Sequence, residues 1–178
     1  AVGLTLRALC RPGDTVVVES PTYFSFLQLL ESLGLRMLEV PATAGRGISL
    51  EALRFALESH KVRACVVITN FSNPLGGLMP EENKQELVRL LARHGVALIE
   101  DDINGDLSYN EPRPPVARAR DPNVILCSSF SKTLAPGYRI GWVAAGALHE
   151  EIERLQFISS VATASPTQMA IAEFLENG

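Results

Sequence analysis

The sequence has few of the residues that staple or metallate small folds: three cysteines and three histidines in 178 residues. Cys10, Cys65 and Cys127 are an odd, widely spaced set, which argues against a disulfide framework and gives no zinc spacing. Two of them lie in apolar runs and read as core, in keeping with a reducing cytoplasm. His60, His94 and His149 fall near expected helix ends, where a histidine meets the helix dipole, and no metal constellation is visible. No basic run is present, and 16 Lys and Arg against 20 Asp and Glu leave a net charge of −4. This segment therefore lacks an electrostatic grip for a nucleic-acid backbone. No apolar run approaches the ~18 residues of a membrane span, and no signal peptide is visible.

What remains is an ordinary globular balance, 47% apolar and 20% charged, enough for one domain with one substantial core. The chain opens at Ala1 in "AVGLTLRALC", which reads as the middle of an amphipathic helix, so the expectation is a piece of a longer protein. Short β-branched runs at 14–20, 35–40, 62–70, 95–102, 123–130 and 139–146 read as strands, and continuous apolar residues within them suggest cover on both faces. Helical periods lie between them at 22–34, 49–60 and 80–95, and the segment from Leu148 spaces Leu148, Ile152 and Leu155 on one helical face. The alternation predicts βαβ units in a three-layer α/β/α sandwich with a mostly parallel sheet. Residues 110–123, "NEPRPPVARARDPN", form the one Pro/Arg-rich connection.

Such sheets bind ligands beyond the carboxyl ends of their strands, and that is where the chemistry-bearing residues fall. In "SSFSKTLAPGYRIGW" (128–142), Lys132 is either a solvated loop residue or a reactive amine. A desolvated lysine forms Schiff bases with carbonyls such as pyridoxal phosphate, and the hydroxyl cluster with Arg139 suits that cofactor's phosphate. Asp101 is either a strand-end cap or the carboxylate that keeps a pyridine nitrogen protonated. Asn73, before Pro74, is a turn residue or an amide donor to a phenolic oxygen. Tyr23 is core or a ring stacked on a flat cofactor.

Two competing motifs fail for want of partners. Ser129-Phe130-Ser131-Lys132 satisfies S-x-x-K, the nucleophile motif of penicillin-recognising enzymes, but neither an S-D-N-like element nor K-T-G occurs. "VALIEDD" resembles the strand-plus-acid element of nucleotide hydrolases, yet no G-x-x-x-x-G-K-[ST] loop accompanies it.

Taken in order, "NPLG", "IEDD" and "SFSKTLAPGYRIGW" resemble the large domain of fold-type I pyridoxal phosphate-dependent aminotransferases. "VVVESPTYFSFLQLLESLGL", "TNFSNPLGGLMPEENK" and "SPTQMAIAEFL" are similar, more closely, to the aminotransferase-like domain of MocR-type transcriptional regulators of the GntR superfamily. The resemblance implies that Lys132 forms the internal aldimine, Asp101 pairs with the pyridine nitrogen, Asn73 contacts the phenolic oxygen and Tyr23 stacks on the ring. Ser129, Ser131 and Arg139 would hold the phosphate. Three residues after the cofactor aspartate many relatives carry a tyrosine that also reaches the phenolic oxygen; this sequence has Asn104.

The resemblance further implies that residues 1–178 are one cofactor-binding domain, with 148–178 starting a helical connection toward a smaller C-terminal domain. A winged helix-turn-helix is expected before Ala1, so DNA would be bound only through that segment. The substrate-carboxylate arginine is expected beyond Gly178, and a cytoplasmic homodimer is the expected assembly. Function is then the sensing of an amino acid or amine by exchange at Lys132. The alternative is a free-standing aminotransferase, and the blandest option is an α/β binding domain without cofactor.

Overall fold

Alternate valines of one strand set the architecture. In β1 (Thr15–Ser20), Val16 and Val18 join one buried apolar cluster and Val17 joins another, so the strand is covered on both faces. β4 (Val62–Val67) repeats the division, with Ala64 and Val66 on one side and Cys65 and Val67 on the other. The computed structural model describes residues 1–177; Gly178, the last residue of the expected 148–178 connection, lies outside them.

Around these strands run α1 (Val2–Leu9), α2 (Phe24–Ser32), β2 (Arg36–Thr43), β3 (Gly47–Ile48), α3 (Leu50–Ser59), α4 (Glu81–Arg93), β5 (Ala97–Asp101), β6 (Ile125–Ser129), β7 (Gly141–Ala144), α5 (His149–Ser160) and α6 (Ser165–Asn177). The strand order is β3-β2-β1-β4-β5-β6-β7. Pairing is parallel from β2 through β6 and antiparallel only at the outer pairs, β2 with β3 and β6 with β7. The chain winds outward from β1 to β2, then returns to β4 and continues the other way, which places the topological switch between β1 and β4.

Two apolar layers flank the sheet. Leu53 and Leu57 of α3 and Leu87 and Leu91 of α4 cover the Val17, Cys65 and Leu98 face. Leu6 of α1 and Phe26 and Leu30 of α2 cover the Val16, Ala64 and Ile99 face. This is the predicted three-layer sandwich. Leu6, Leu30 and Leu53 are fully buried, and truncating any one of them to alanine costs about 2–5 kcal/mol. Local signals agree: Ser49 caps α3 by accepting from the Ala52 N–H at 3.3 Å, and α4 opens after Pro80 with Glu81 and Glu82 and closes with Arg93.

Several details depart from the sequence expectation. β2 and β7 read as two-sided apolar runs, yet both are largely exposed, because β7 is an edge strand and β2 is shielded only by the two-residue β3. β3 and α6 gave no clear periodic signal. All three cysteines are buried and free. His60 and His94 cap helix carboxyl ends, but His149 opens α5, where the dipole does not favour a cation, and instead lies 3.9 Å from Glu153 one turn on.

Candidate functional site

A cavity of about 480 Å³ opens at the carboxyl ends of β1, β5 and β6, and Tyr23, Asp101, Ser129, Ser131, Lys132 and Arg139 all line it. Residues from three strand ends, far apart in sequence, are thus brought to one cleft. β5 and β6 are in register as Asp101 opposite Cys127, so the acid and the segment that leads to Lys132 sit side by side.

Asp101 is packed so that burial raises its carboxyl pKa to about 6, against the hydrogen bond that its Oδ1 accepts from the Ile103 N–H at 3.3 Å. The acid is therefore held well above the ordinary aspartate range. Tyr23 contacts Phe24 and Phe26 edge-on, with ring centroids 5.0 and 5.7 Å away, while also lining the cavity. The ring is braced by the core and available to the cleft, so the two readings of this residue are compatible.

Lys132 is exposed on the turn after β6, so the desolvation invoked for a reactive amine is not supplied by the described residues themselves. Arg139 follows in the left-handed region at φ 54°, a strained backbone for a non-glycine residue that costs of order 1 kcal/mol and is typical of functional sites. Its Nη1 donates to the Pro136 carbonyl at 2.9 Å and to Ser131 Oγ at 3.4 Å, and Ser129 Oγ accepts from the Ser131 N–H at 3.3 Å. Ala1 and Val2 also line the cavity, so the positive end of α1 adjoins the cationic and hydroxyl groups.

Asn73 is not among the cavity-lining residues. It is exposed on the loop between β4 and α4, and the structure does not bring its side chain into the cluster. Asn104 does not line the cavity either; its Nδ2 donates to the Phe71 carbonyl at 2.9 Å, on that same loop.

Sequence reasoning missed a buried polar assembly behind the cleft. Lys84, 1% exposed, donates to Asn70 Oδ1 at 2.6 Å and to the Pro115 carbonyl. Asn70 Nδ2 donates to Asp102 Oδ1 at 2.8 Å, and Asp102 is ion-paired to Arg113, which also meets Asp106. Glu100, fully buried, accepts from Thr69 Oγ1 and from the Ala117 and Arg118 N–H groups. Burial lowers the pKa of Lys84, against the nearby Glu100, Glu81 and Asp102, and raises that of Glu100, against its three hydrogen bonds. The assembly straps the Pro/Arg-rich connection to the ends of β4 and β5. One signal was legible: Lys84 falls in the stripe Lys84, Leu87, Val88, Leu91, which is the buried face of α4.

A second cavity, of about 410 Å³, lies at the opposite ends of β5 and β6, lined by Leu9, Val88, Leu91, Val124 and Leu148 with Asp121 as its one ionisable group. It gathers no reactive cluster. No group of three or more potential metal ligands occurs among the described residues.

Comparison with known proteins bears on the strand-end cleft. The aminotransferase class I and II model matches residues 1–177. Two uncharacterised HTH-type transcriptional regulators of Escherichia coli are similar: YdcR, 45% identical over 98% of this chain, and YjiR, 41% identical over all of it. The chain spans 38% of the length of each. Among solved structures, the α-aminoadipate aminotransferase LysN of Thermus thermophilus, complexed with N-(5'-phosphopyridoxyl)-L-leucine, superposes with a TM-score of 0.90 at 32% identity. That match covers 99% of this chain and 47% of LysN. With the fold, the strand-end cleft and a family model spanning all the described residues in agreement, the chain belongs to the aminotransferase class I and II family.

Proposed function

We propose that residues 1–178 form the pyridoxal phosphate-binding, aminotransferase-like domain of a MocR-type regulator of the GntR superfamily, and that the domain senses an amino acid or amine. The observation that carries this reading is the convergence of Lys132, Arg139, Ser129, Ser131 and Asp101 on one cleft, in a chain that is similar along its whole length to two HTH-type regulators.

The donor set fits the cofactor. Two cationic side chains and two hydroxyls stand beside the positive end of α1, and a largely buried carboxyl lines the same cleft. Arg139, Ser129 and Ser131 would hold the phosphate, Asp101 would hold a proton at the ring nitrogen and Tyr23 would support the ring face, while Asn73, which does not line the cavity, would have to reach the phenolic oxygen from the β4–α4 loop. When bound, the cofactor supplies an electrophilic carbonyl carbon and an electron sink for the α-carbon of an amino compound. Lys132 supplies the amine that anchors it, and an effector amine competes with Lys132 for that position.

DNA would be reached through an N-terminal helix-turn-helix preceding Ala1, and 148–178 would lead toward a smaller C-terminal domain. A cytoplasmic homodimer completes the proposal, in keeping with the absence, among the described residues, of any helix long and apolar enough to cross a membrane.

The test uses the full-length protein with added pyridoxal phosphate. A visible absorbance band that borohydride fixes, that is lost in Lys132→Ala, and that an amino compound perturbs together with operator affinity supports the proposal. No band with the parent protein would sink it. The similarity to LysN favours one second reading, an aminotransferase in which the Lys132 amine carries the substrate α-proton; keto-acid release across an amino-acid panel selects it.

A further inference from the structure

We infer that Asn104 is a positioning residue for the loop that carries Asn73, an inference that rests on the cofactor reading above. The loop leaves β4 through Thr69 and Asn70 and returns at Met79, whose N–H donates to the Thr69 carbonyl at 2.9 Å. Both flanks are fixed. Asn70 is fully buried between Lys84 and Asp102, and Gly77 lies so close to the β2–β3 turn that a Cβ there would sit 2.9 Å from the Gly45 nitrogen. Within the loop, the Ser72 N–H donates to the Gly77 carbonyl at 2.9 Å and closes the turn around Asn73.

Phe71 joins the rigid flank to that turn, and it does so in the left-handed region at φ 53°. A bulky aromatic residue disfavours this conformation, because Cβ crowds the following carbonyl, so something must hold it. The group that meets the Phe71 carbonyl is Asn104 Nδ2, at 2.9 Å. Asn104 comes from the segment after β5, three residues past Asp101, so the hydrogen bond ties the β4 loop to the acid's own strand end. It fixes the peptide plane from which Ser72 and Asn73 depart. Asn73 is exposed, so its placement depends on its backbone. Without the Asn104 amide, Phe71 relaxes toward negative φ and the turn that carries Asn73 swings with it. Asn104 thus acts through the loop that carries Asn73, because its amide donor is engaged by the Phe71 carbonyl.

The experiment compares full-length parent, Asn104→Ala, Asn104→Asp and Asn104→Gln, with pyridoxal phosphate as the probe. It measures the dissociation constant, the pH midpoint of the bound chromophore and the urea midpoint. Aspartate keeps the size but loses the donor, whereas glutamine keeps the donor. The alanine and aspartate variants are expected to bind about 3- to 10-fold more weakly, the worth of one hydrogen bond, with a displaced chromophore midpoint. Glutamine is expected to retain the parent midpoint. If alanine and aspartate both keep the parent midpoint and bind within about twofold of it, the positioning role is overturned, even if their urea midpoints fall. A parent protein without any chromophore overturns the cofactor reading itself, a failure recognisable before any variant is made.

Discussion

Asp101 and Asp102 leave the end of β5 toward opposite sides: Asp101 lines the cleft, whereas the Asp102 carboxylate lies behind it, bonded to Asn70 and ion-paired to Arg113. The division follows the two-residue period of a strand, continued one residue past its end. One acid thereby faces the cleft and its neighbour the buried polar assembly, and their removal should have opposite effects on stability.

Asp101→Asn should stabilise the cofactor-free protein at neutral and alkaline pH. The folded carboxyl has a pKa of about 6 against an ordinary 3.8, so the folded state holds its proton more tightly than the unfolded chain does. The contribution of Asp101 to parent stability is therefore fully present below about pH 4 and is lost as pH rises through about 6, whereas asparagine has no such loss. Urea unfolding at about pH 4 and about pH 8 should show no difference at the lower pH and a gain of roughly 2–3 kcal/mol at the higher. The same variant should bind pyridoxal phosphate more weakly, so stability and cofactor affinity move apart. Equal stabilities at the higher pH would contradict the burial argument.

Glu19 has the same sign without the function. It is 3% exposed at the sheet centre, accepts from the Ile68 N–H at 2.8 Å, and burial raises its pKa to about 7. Glu19→Gln keeps the acceptor and removes the ionisation. Its expected gain, about 3 kcal/mol at most, is absent below about pH 4.5, grows between about 4.5 and 7 and is complete above about 7. Cofactor affinity should be unchanged, and a pH-independent change in the urea midpoint would point to packing instead.

Gly105 should tolerate no side chain. A methyl group there would overlap both Asp102 carboxylate oxygens and the Arg113 guanidinium, so Gly105→Ala must separate an ion pair whose carboxylate is buried and whose guanidinium is partly exposed. The expected cost is about 1–3 kcal/mol in urea unfolding. Arg113→Met, which leaves Asp102 with Asn70 alone, should cost a similar amount, and the two losses should not add, because both break the same contact. Additive losses would show that Gly105 matters for another reason.

The sheet was legible because its central strands are apolar on both faces, and helices such as α4 carry a cap signal, a stripe and a closing glycine. Position in the sheet was not: β7 is as apolar as a core strand, and only its place at the sheet edge exposes it. At the site, residue type at the strand ends together with the family resemblance picked out Lys132, Asp101, Tyr23, Ser129, Ser131 and Arg139, which share a cleft. Asn73 looked equivalent to them on a strand end, yet it is exposed on its loop and is not among the residues that line the cleft. The Lys84 assembly was hidden because a helical lysine ordinarily reads as solvated surface, and its partners Asn70, Asp102 and Pro115 come from separate segments. The Asn104 contact depends on the backbone angle of Phe71, which residue identity does not reveal.

Arg139 offers a test of what the cationic end of the cleft recognises. Its guanidinium is exposed, steered by the Pro136 carbonyl toward Ser131 and aided by a left-handed backbone. If its partner is a phosphate, the parent protein should prefer pyridoxal phosphate over pyridoxal, and Arg139→Ala should erase much of that preference while leaving pyridoxal binding unchanged. A charge-assisted hydrogen bond is worth about 1.5–3 kcal/mol, so the ratio of the two dissociation constants should fall roughly 10- to 150-fold. Arg139→Lys keeps the charge without the fork geometry and should fall between them. Raised salt should weaken phosphate-dependent binding in the parent more than in Arg139→Ala. A variant that loses pyridoxal and pyridoxal phosphate in equal measure would assign Arg139 to the shape of the 130–140 loop instead, because only a phosphate contact can separate the two ligands.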